Sequence, residues 1–246
     1  MVTVQYGQEN KATIILLHGG GLSWWNFREV AELLQDRYHV INPILDGHAG
    51  SDREFSTIEN NAKAIIEYID EKHNGAVTLI GGVSLGGQIL VEMLSQRKDI
   101  CKSALVESAL ILPMKLTQTL VNPMLDLSYG LIRQKWFAKW QFKALRMKKE
   151  LFDEYYRDTC KVTKENMTAF LKANSCYIIK KELKHTCAKV FIFVGEKESR
   201  KMIRSAEKLH RLIPYSELNV MKKRYHGEFS LNYALEYTKT IMKILK

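Results

Sequence analysis

Between Ile80 and Leu90 the chain reads IGGVSLGGQIL, with two glycines on either side of Ser84, an apolar run before them and a helical pattern after them. Glycine is poorly suited to the interior of a strand or a helix, so four of them at such a junction mark a turn too tight for side chains. Gly82-Val83-Ser84-Leu85-Gly86 is a G-x-S-x-G. That motif gains meaning when a strand enters it and a helix leaves it, and here VTLI precedes it and QILVEMLSQ follows. In this setting the turn strains the serine backbone and lifts the hydroxyl above the sheet edge. It also aims the start of the next helix at the same point, where the Leu85 N–H can stabilise an oxyanion. The glycines thus permit a nucleophile elbow.

The rest of the chain alternates between two periodicities. Apolar runs rich in β-branched residues predict strands over Ala12–His18, His39–Leu45, Val77–Val83, Lys102–Leu110 and Lys189–Gly195. Residues 216–225 form a weaker sixth candidate, and Val2–Tyr6 a short antiparallel edge strand. Between them, Phe27, Val30, Ala31 and Leu34 follow a helical stripe, as do Ile58, Ala62, Ile65, Ile66 and Ile69. Ser56-Thr57-Ile58-Glu59 reads as a capping box opening the second of these. Two later helices fit Lys201–Leu212 and Leu231–Leu245. Strands alternating with helices predict an α/β fold, a mainly parallel, doubly wound sheet covered on both faces. From about Leu112 to Leu183 the alternation stops and only Leu-, Lys- and aromatic-rich helical sequence remains, which predicts a helical insertion. Its Trp136, Phe137, Trp140 and Phe142 either pack among the insertion's own helices or face down to roof a cleft.

With 246 residues, 46% of them hydrophobic, the chain can bury one large core, with or without an insertion. The N-terminal residues lack a basic region followed by an apolar one, and no apolar run approaches the roughly 18 to 20 residues that span a bilayer. A cytoplasmic location is the expectation. Cys101, Cys160, Cys176 and Cys187 show neither CxxC pairing nor metal-ligand spacing, which fits free thiols in a reducing compartment. The net charge is +10, and residues 113–187 supply +8 of it, with fifteen Lys/Arg against seven Asp/Glu. This local excess reads either as solvated helical faces or as an electropositive surface attracting an anionic substrate. Basic excess without a recognised motif is no nucleic-acid site.

The chain resembles the α/β-hydrolase family over nearly its whole core. The G-x-S-x-G carries the likeness, and His18-Gly19-Gly20-Gly21, after the first predicted strand, resembles the family's HGGG segment. That resemblance implies an oxyanion hole formed by the N–H groups of Gly20 and Leu85, with His18 shaping the loop. Asp46–Asp52, DGHAGSD, resembles the loop after the next strand, and Asp46 receives no catalytic role. The resemblance also makes residues 112–186 a helical cap between two halves of the core, 1–111 and 187–246, and assigns substrate choice to the cap.

A serine hydroxyl needs a base, and the base an orienting carboxylate. The family's order is Ser, acid, His. Of seven histidines, His226 in YHGEFS follows a late strand and precedes a final helix, as the family's base does. The acid commonly occupies a G-x-x-D turn, and the matching turn is Gly195-Glu196-Lys197-Glu198, which selects Glu198 with Glu in place of Asp. Glu196 and Glu107, in LVESAL, remain rivals.

Taken together, the resemblance implies a cofactor-independent, metal-free serine hydrolase acting on a carboxylic ester or thioester, and the electropositive reading of residues 113–187 adds an anionic group on that substrate. Serine in the elbow argues against the dehalogenase and epoxide-hydrolase branches, which use Asp there. The same triad also serves carbon-carbon hydrolases, lyases, acyltransferases and ligand-sensing proteins with little turnover. No nucleic acid and no stable membrane association are expected, and the sequence sets no oligomeric state.

Overall fold

A computed structural model describes residues 1–246, Lys115 by its backbone alone. The strands are β1 (Thr3–Tyr6), β2 (Thr13–Leu17), β3 (His39–Pro43), β4 (Val77–Val83), β5 (Cys101–Glu107), β6 (Lys189–Gly195) and β7 (Glu217–Met221). They form one seven-stranded sheet in the order β1-β3-β2-β4-β5-β6-β7. β1 runs antiparallel to β3, from Thr3 opposite Pro43 to Tyr6 opposite Val40. The other neighbouring pairs are parallel.

Helices α1 (Arg28–Leu34), α2 (Ile58–His73) and α3 (Leu85–Gln96) follow β2, β3 and β4 in turn. Strands covered on both faces have no polar side to show, which is why they read as unbroken apolar runs. In β2, Ile15 and Leu17 join the core layer under α2 and α3, while Ile14 and Leu16 join the layer under α1. β6 repeats the pattern, with Ile192 and Val194 on the first side and Phe191 and Phe193 on the second. Each such side chain contributes about 1.5–3 kcal/mol by leaving water.

Between β5 and β6 the chain forms α4 (Lys115–Ile132), α5 (Lys135–Ala144), α6 (Phe152–Thr159) and α7 (Lys164–Cys176), with no strand among them. Polar contacts tie this helical segment to the loops and to α3 around the sheet. The Trp25 indole donates to Asp158 at 2.8 Å, the Phe55 N–H to Asn166 at 2.8 Å, and the Gln88 amide to the carbonyls of Leu110 and Asn174 at 2.6 and 2.8 Å. Its aromatics divide: Phe142 packs among the segment's own helices, while the two tryptophans fit neither sequence reading. Phe142 is buried against Phe152 and Tyr155 and Phe137 is half-buried, but Trp136 and Trp140, which flank the Phe137 ring, are each 65% exposed.

After β6 come α8 (Arg200–Leu212), α9 (Glu228–Asn232) and α10 (Ala234–Ile244). Three local expectations are corrected. The residue capping α2 is Thr57, whose side chain accepts the Asn60 N–H. Ser56 instead accepts from the Asn60 side-chain amide, so the cap is shifted by one residue and is a simple threonine cap rather than a capping box. The predicted helix over 231–245 is broken at Tyr233, whose φ of −125° and ψ of 50° leave the helical region. The break leaves the Asn232 amide bonded to the Arg146 carbonyl and the Lys148 N–H. The fifth strand stops at Glu107 because Ser108 turns to φ 53°, where a strand cannot continue.

Candidate active site

Ser84 stands between β4 and α3 at φ 54° and ψ −114°. Such a conformation costs a non-glycine residue of order 1–3 kcal/mol and persists only where the surroundings enforce it. Close backbone approach enforces it here. A Cβ on Gly82 would lie 2.4 Å from the Gly86 carbonyl oxygen, and one on Gly86 would lie 2.2 Å from that of Leu17. Both are distances no side-chain carbon tolerates.

The elbow points Ser84 at His226, which lies on the turn between β7 and α9. The Ser84 hydroxyl donates to His226 Nε2 at 2.9 Å, and His226 Nδ1 lies 2.7 Å from Glu198 Oε2. An ionised carboxylate can only accept, so Nδ1 carries the proton and Nε2 is left free to receive one. Glu198 ends the turn that follows β6, and its other oxygen accepts the Ser108 hydroxyl and the Gly195 N–H, both at 2.7 Å. Its side chain is wholly buried, while that of His226 is 48% exposed. Burial pushes the Glu198 pKa up, but the hydrogen bond and charge of His226, with the Gly195 and Ser108 donors, outweigh it and hold the carboxyl below its ordinary range.

The two rival carboxylates do other things. Glu196 accepts the Lys223 N–H at 2.9 Å at the surface. Glu107 is buried beneath α9 and accepts the Phe229 N–H at 3.1 Å and the Ser230 N–H at 3.2 Å. Neither bonds His226. Burial pushes the Glu107 pKa up to about 7, against the opposing pull of its Ser230 hydrogen bonds. The folded protein therefore holds this proton more tightly than the unfolded chain. The associated stability is full below the ordinary carboxylate range and is lost as pH rises through about 7. Urea unfolding should show Glu107→Gln gaining about 2–3 kcal/mol relative to the parent between roughly pH 5 and 8. A difference that does not move with pH would place the titration elsewhere.

The loop after β2 is stitched by neutral imidazoles. His18 Nε2 accepts the Leu45 N–H at 3.1 Å and its Nδ1 donates to the Gly19 carbonyl at 2.9 Å. His48 Nε2 accepts the Gly21 N–H at 3.0 Å and its Nδ1 donates to the Asp46 carbonyl at 3.0 Å. Burial depresses both rings, His18 well below the ordinary range and His48 to about 4, which keeps them uncharged. Asn26 takes the Gly19 N–H at 3.2 Å. With the flanking N–H groups engaged, that of Gly20 has no hydrogen-bond partner among the described residues. Leu85 opens α3, where helix geometry leaves its N–H without an intrahelical acceptor. Phe170 of α7 stacks on His48 at 4.7 Å and covers the loop from the helical segment. Asp46 pairs with Arg53 at 3.3 Å, away from this chemistry.

A cavity of about 330 Å³ opens beside His226 and Glu198, with Arg146, Lys197, Met202 and Tyr225 among its walls. The Arg146 guanidinium stacks over Tyr225 at 3.8 Å from the ring centre. Sequence reasoning brings Ser84, His226 and Glu198 to this site but misses Ser108, Asn26, His48 and Phe170. These four act through contacts across the fold that no local spacing announces.

A family model described as the alpha/beta hydrolase family matches residues 14–217. The chain is 31% identical over 98 residues to YugF, an uncharacterized hydrolase of Bacillus subtilis (strain 168), a match spanning 39% of this chain and 36% of that protein. Among solved structures, a thermophilic esterase from Thermogutta terrifontis superposes with a TM-score of 0.80 at 16% identity, covering 99% of this chain and 92% of that one. The esterase EaEST from Exiguobacterium antarcticum superposes with a TM-score of 0.82 at 18% identity, covering 99% and 94%. At those identities the likeness is one of fold.

Proposed function

Because the chain belongs to the alpha/beta hydrolase family, we propose that it is a cofactor-independent serine hydrolase that cleaves a carboxylic ester or thioester through an acyl-enzyme on Ser84. One observation carries the reading. A serine in a strained elbow meets a histidine at 2.9 Å, and that histidine meets a buried carboxylate at 2.7 Å.

In the reaction His226 Nε2 takes the Ser84 proton as Oγ bonds to the substrate carbonyl carbon. The N–H groups of Gly20 and Leu85 hold the resulting oxyanion. As the intermediate collapses, the bond to the alcohol or thiol breaks and that group leaves with the proton from Nε2. Water then gives a proton to Nε2 and attacks the acyl carbon, and Ser84 recovers its proton as the acid departs. Throughout, Glu198 holds Nδ1–H and stabilises the imidazolium without itself being protonated.

A fluorophosphonate probe tests this directly. Intact mass should show one adduct, mapping to Ser84 and absent from Ser84→Ala and His226→Ala. A folded parent protein that takes up no probe would refute the reading and favour ligand sensing. Product analysis on p-nitrophenyl and thioester substrates then separates hydrolysis from acyl transfer. Arg146 and Lys197 beside His226 favour an anionic substituent on the substrate. At low salt, carboxylated esters should show higher kcat/KM than neutral ones of equal acyl length, and equal values would remove that part of the proposal.

A further inference from the structure

Helix α4 has two apolar faces. Val121, Leu125 and Ile132 are buried in the core. Leu116, Leu120, Met124, Leu127 and Leu131 fall, at about 100° per residue, within an arc of about 80° on another side of the helix. Their exposure runs from 37% for Leu131 to 84% for Leu127. A lone exposed leucine is ordinary, but an aligned row along a whole helix marks an interaction surface. α5, two residues further along the chain, leaves Trp136 and Trp140 exposed one turn apart, their rings 5.7 and 5.8 Å from the Phe137 ring between them.

The chain from Leu127 onward is basic. Residues 127–149 contain seven Lys/Arg and no Asp/Glu. Lys135, Lys139 and Lys143, all exposed, follow the same turn-by-turn spacing immediately beside the two tryptophans. Asp126, which at 100° per residue falls outside the arc of the leucine row, pairs with Lys164 at 2.7 Å.

We propose that α4 and α5 dock the protein peripherally on a bilayer containing anionic lipid. The leucine row and the two indoles would enter the boundary between headgroups and acyl chains, with the lysines against lipid phosphates. Exposed leucine, tryptophan and lysine on two consecutive helices are the combination that an interfacial site needs, since apolar burial and attraction to anionic headgroups act together. Indole suits that depth because one end is apolar and the other polar. A second copy of the chain fits the surface less well, because a two-fold contact would set each lysine row against its own like charges. The docking is not insertion, as no helix among the described residues is long and apolar enough to cross a membrane. It therefore differs from the stable association that the sequence argues against, and it does not depend on chemistry at Ser84.

Sedimentation with phosphatidylcholine vesicles, with and without phosphatidylglycerol, tests the proposal on the 246-residue chain. The parent protein should pellet with the mixed vesicles at low salt, with a blue shift in tryptophan emission, and should be released as salt is raised. Trp136→Ala/Trp140→Ala, which removes only exposed rings, should keep its circular dichroism and Tm and partition at least about tenfold more weakly. Lys135→Gln/Lys139→Gln/Lys143→Gln should weaken binding to the mixed vesicles by about a hundredfold. Ser84→Ala should bind like the parent, which separates this result from the fate of the hydrolase reading. The proposal fails if the parent stays in the supernatant, or if the tryptophan variant binds as well as the parent. It also fails if light scattering finds a dimer that the tryptophan variant dissolves while vesicles recruit nothing, an outcome that would give the surface to a second copy.

Discussion

Ester turnover by Ser84→Ala is expected to fall by about five to six orders of magnitude, and His226→Ala by a similar factor, because nucleophile and base act as one unit. For the same reason the double variant should be no worse than either single one. Glu198→Gln should cost about four orders, since a neutral amide can donate to the imidazole and favour the tautomer with Nε2 protonated. Glu107→Gln and Glu196→Gln should stay within about threefold, as neither carboxylate touches His226. Steady-state kinetics on one p-nitrophenyl ester reads all six. A larger loss in Glu107→Gln than in Glu198→Gln would overturn the choice of acid.

Gly86→Ala should cost at least about 3 kcal/mol and abolish probe labelling at Ser84. The added carbon would lie 2.2 Å from the Leu17 carbonyl oxygen and 2.6 Å from that of His18. Those atoms belong to the end of β2 and the start of the loop after it, and β2 is paired on one side with β3 and on the other with β4. No rotamer change can relieve the clash, so α3 and the elbow must move away from the sheet. Gly20→Ala supplies the contrast. Its added carbon would meet side-chain atoms of Leu85 and Phe170 at 3.5 Å and beyond, which is ordinary contact. Thermal unfolding should leave Gly20→Ala near the parent Tm and lower Gly86→Ala by many degrees. Similar Tm values for the two would show that the turn has slack the backbone distances deny.

Much of the architecture is legible in order along the chain because strands and helices here answer to short-range patterning. A β-branched run such as Thr13–Leu17 has one low-cost arrangement in a doubly covered sheet, and the stripe from Ile58 to Ile69 has one in a helix. Boundaries are less legible. The cap of α2 moves from Ser56 to Thr57 and the last helix breaks at Tyr233, because single side-chain hydrogen bonds decide such ends and several local choices are nearly equal in energy.

The amino-acid sequence by itself determines the doubly wound α/β sheet, the strained turn at Ser84, and a short list of partners for it. Those are consequences of backbone sterics and hydrophobic periodicity, which act over a few residues. Only the tertiary structure decides which of three glutamates meets His226, because Glu198 is 28 residues away from it and Ser84 is 142. It alone reveals Ser108 bridging Glu198 and Gly227, and Asn26 and His48 engaging the N–H groups on either side of Gly20. It alone shows that one face of α4 and the tryptophans of α5 are left facing solvent. Hydrogen bonds and burial of this kind depend on what the rest of the chain brings alongside, and no spacing within a segment encodes that.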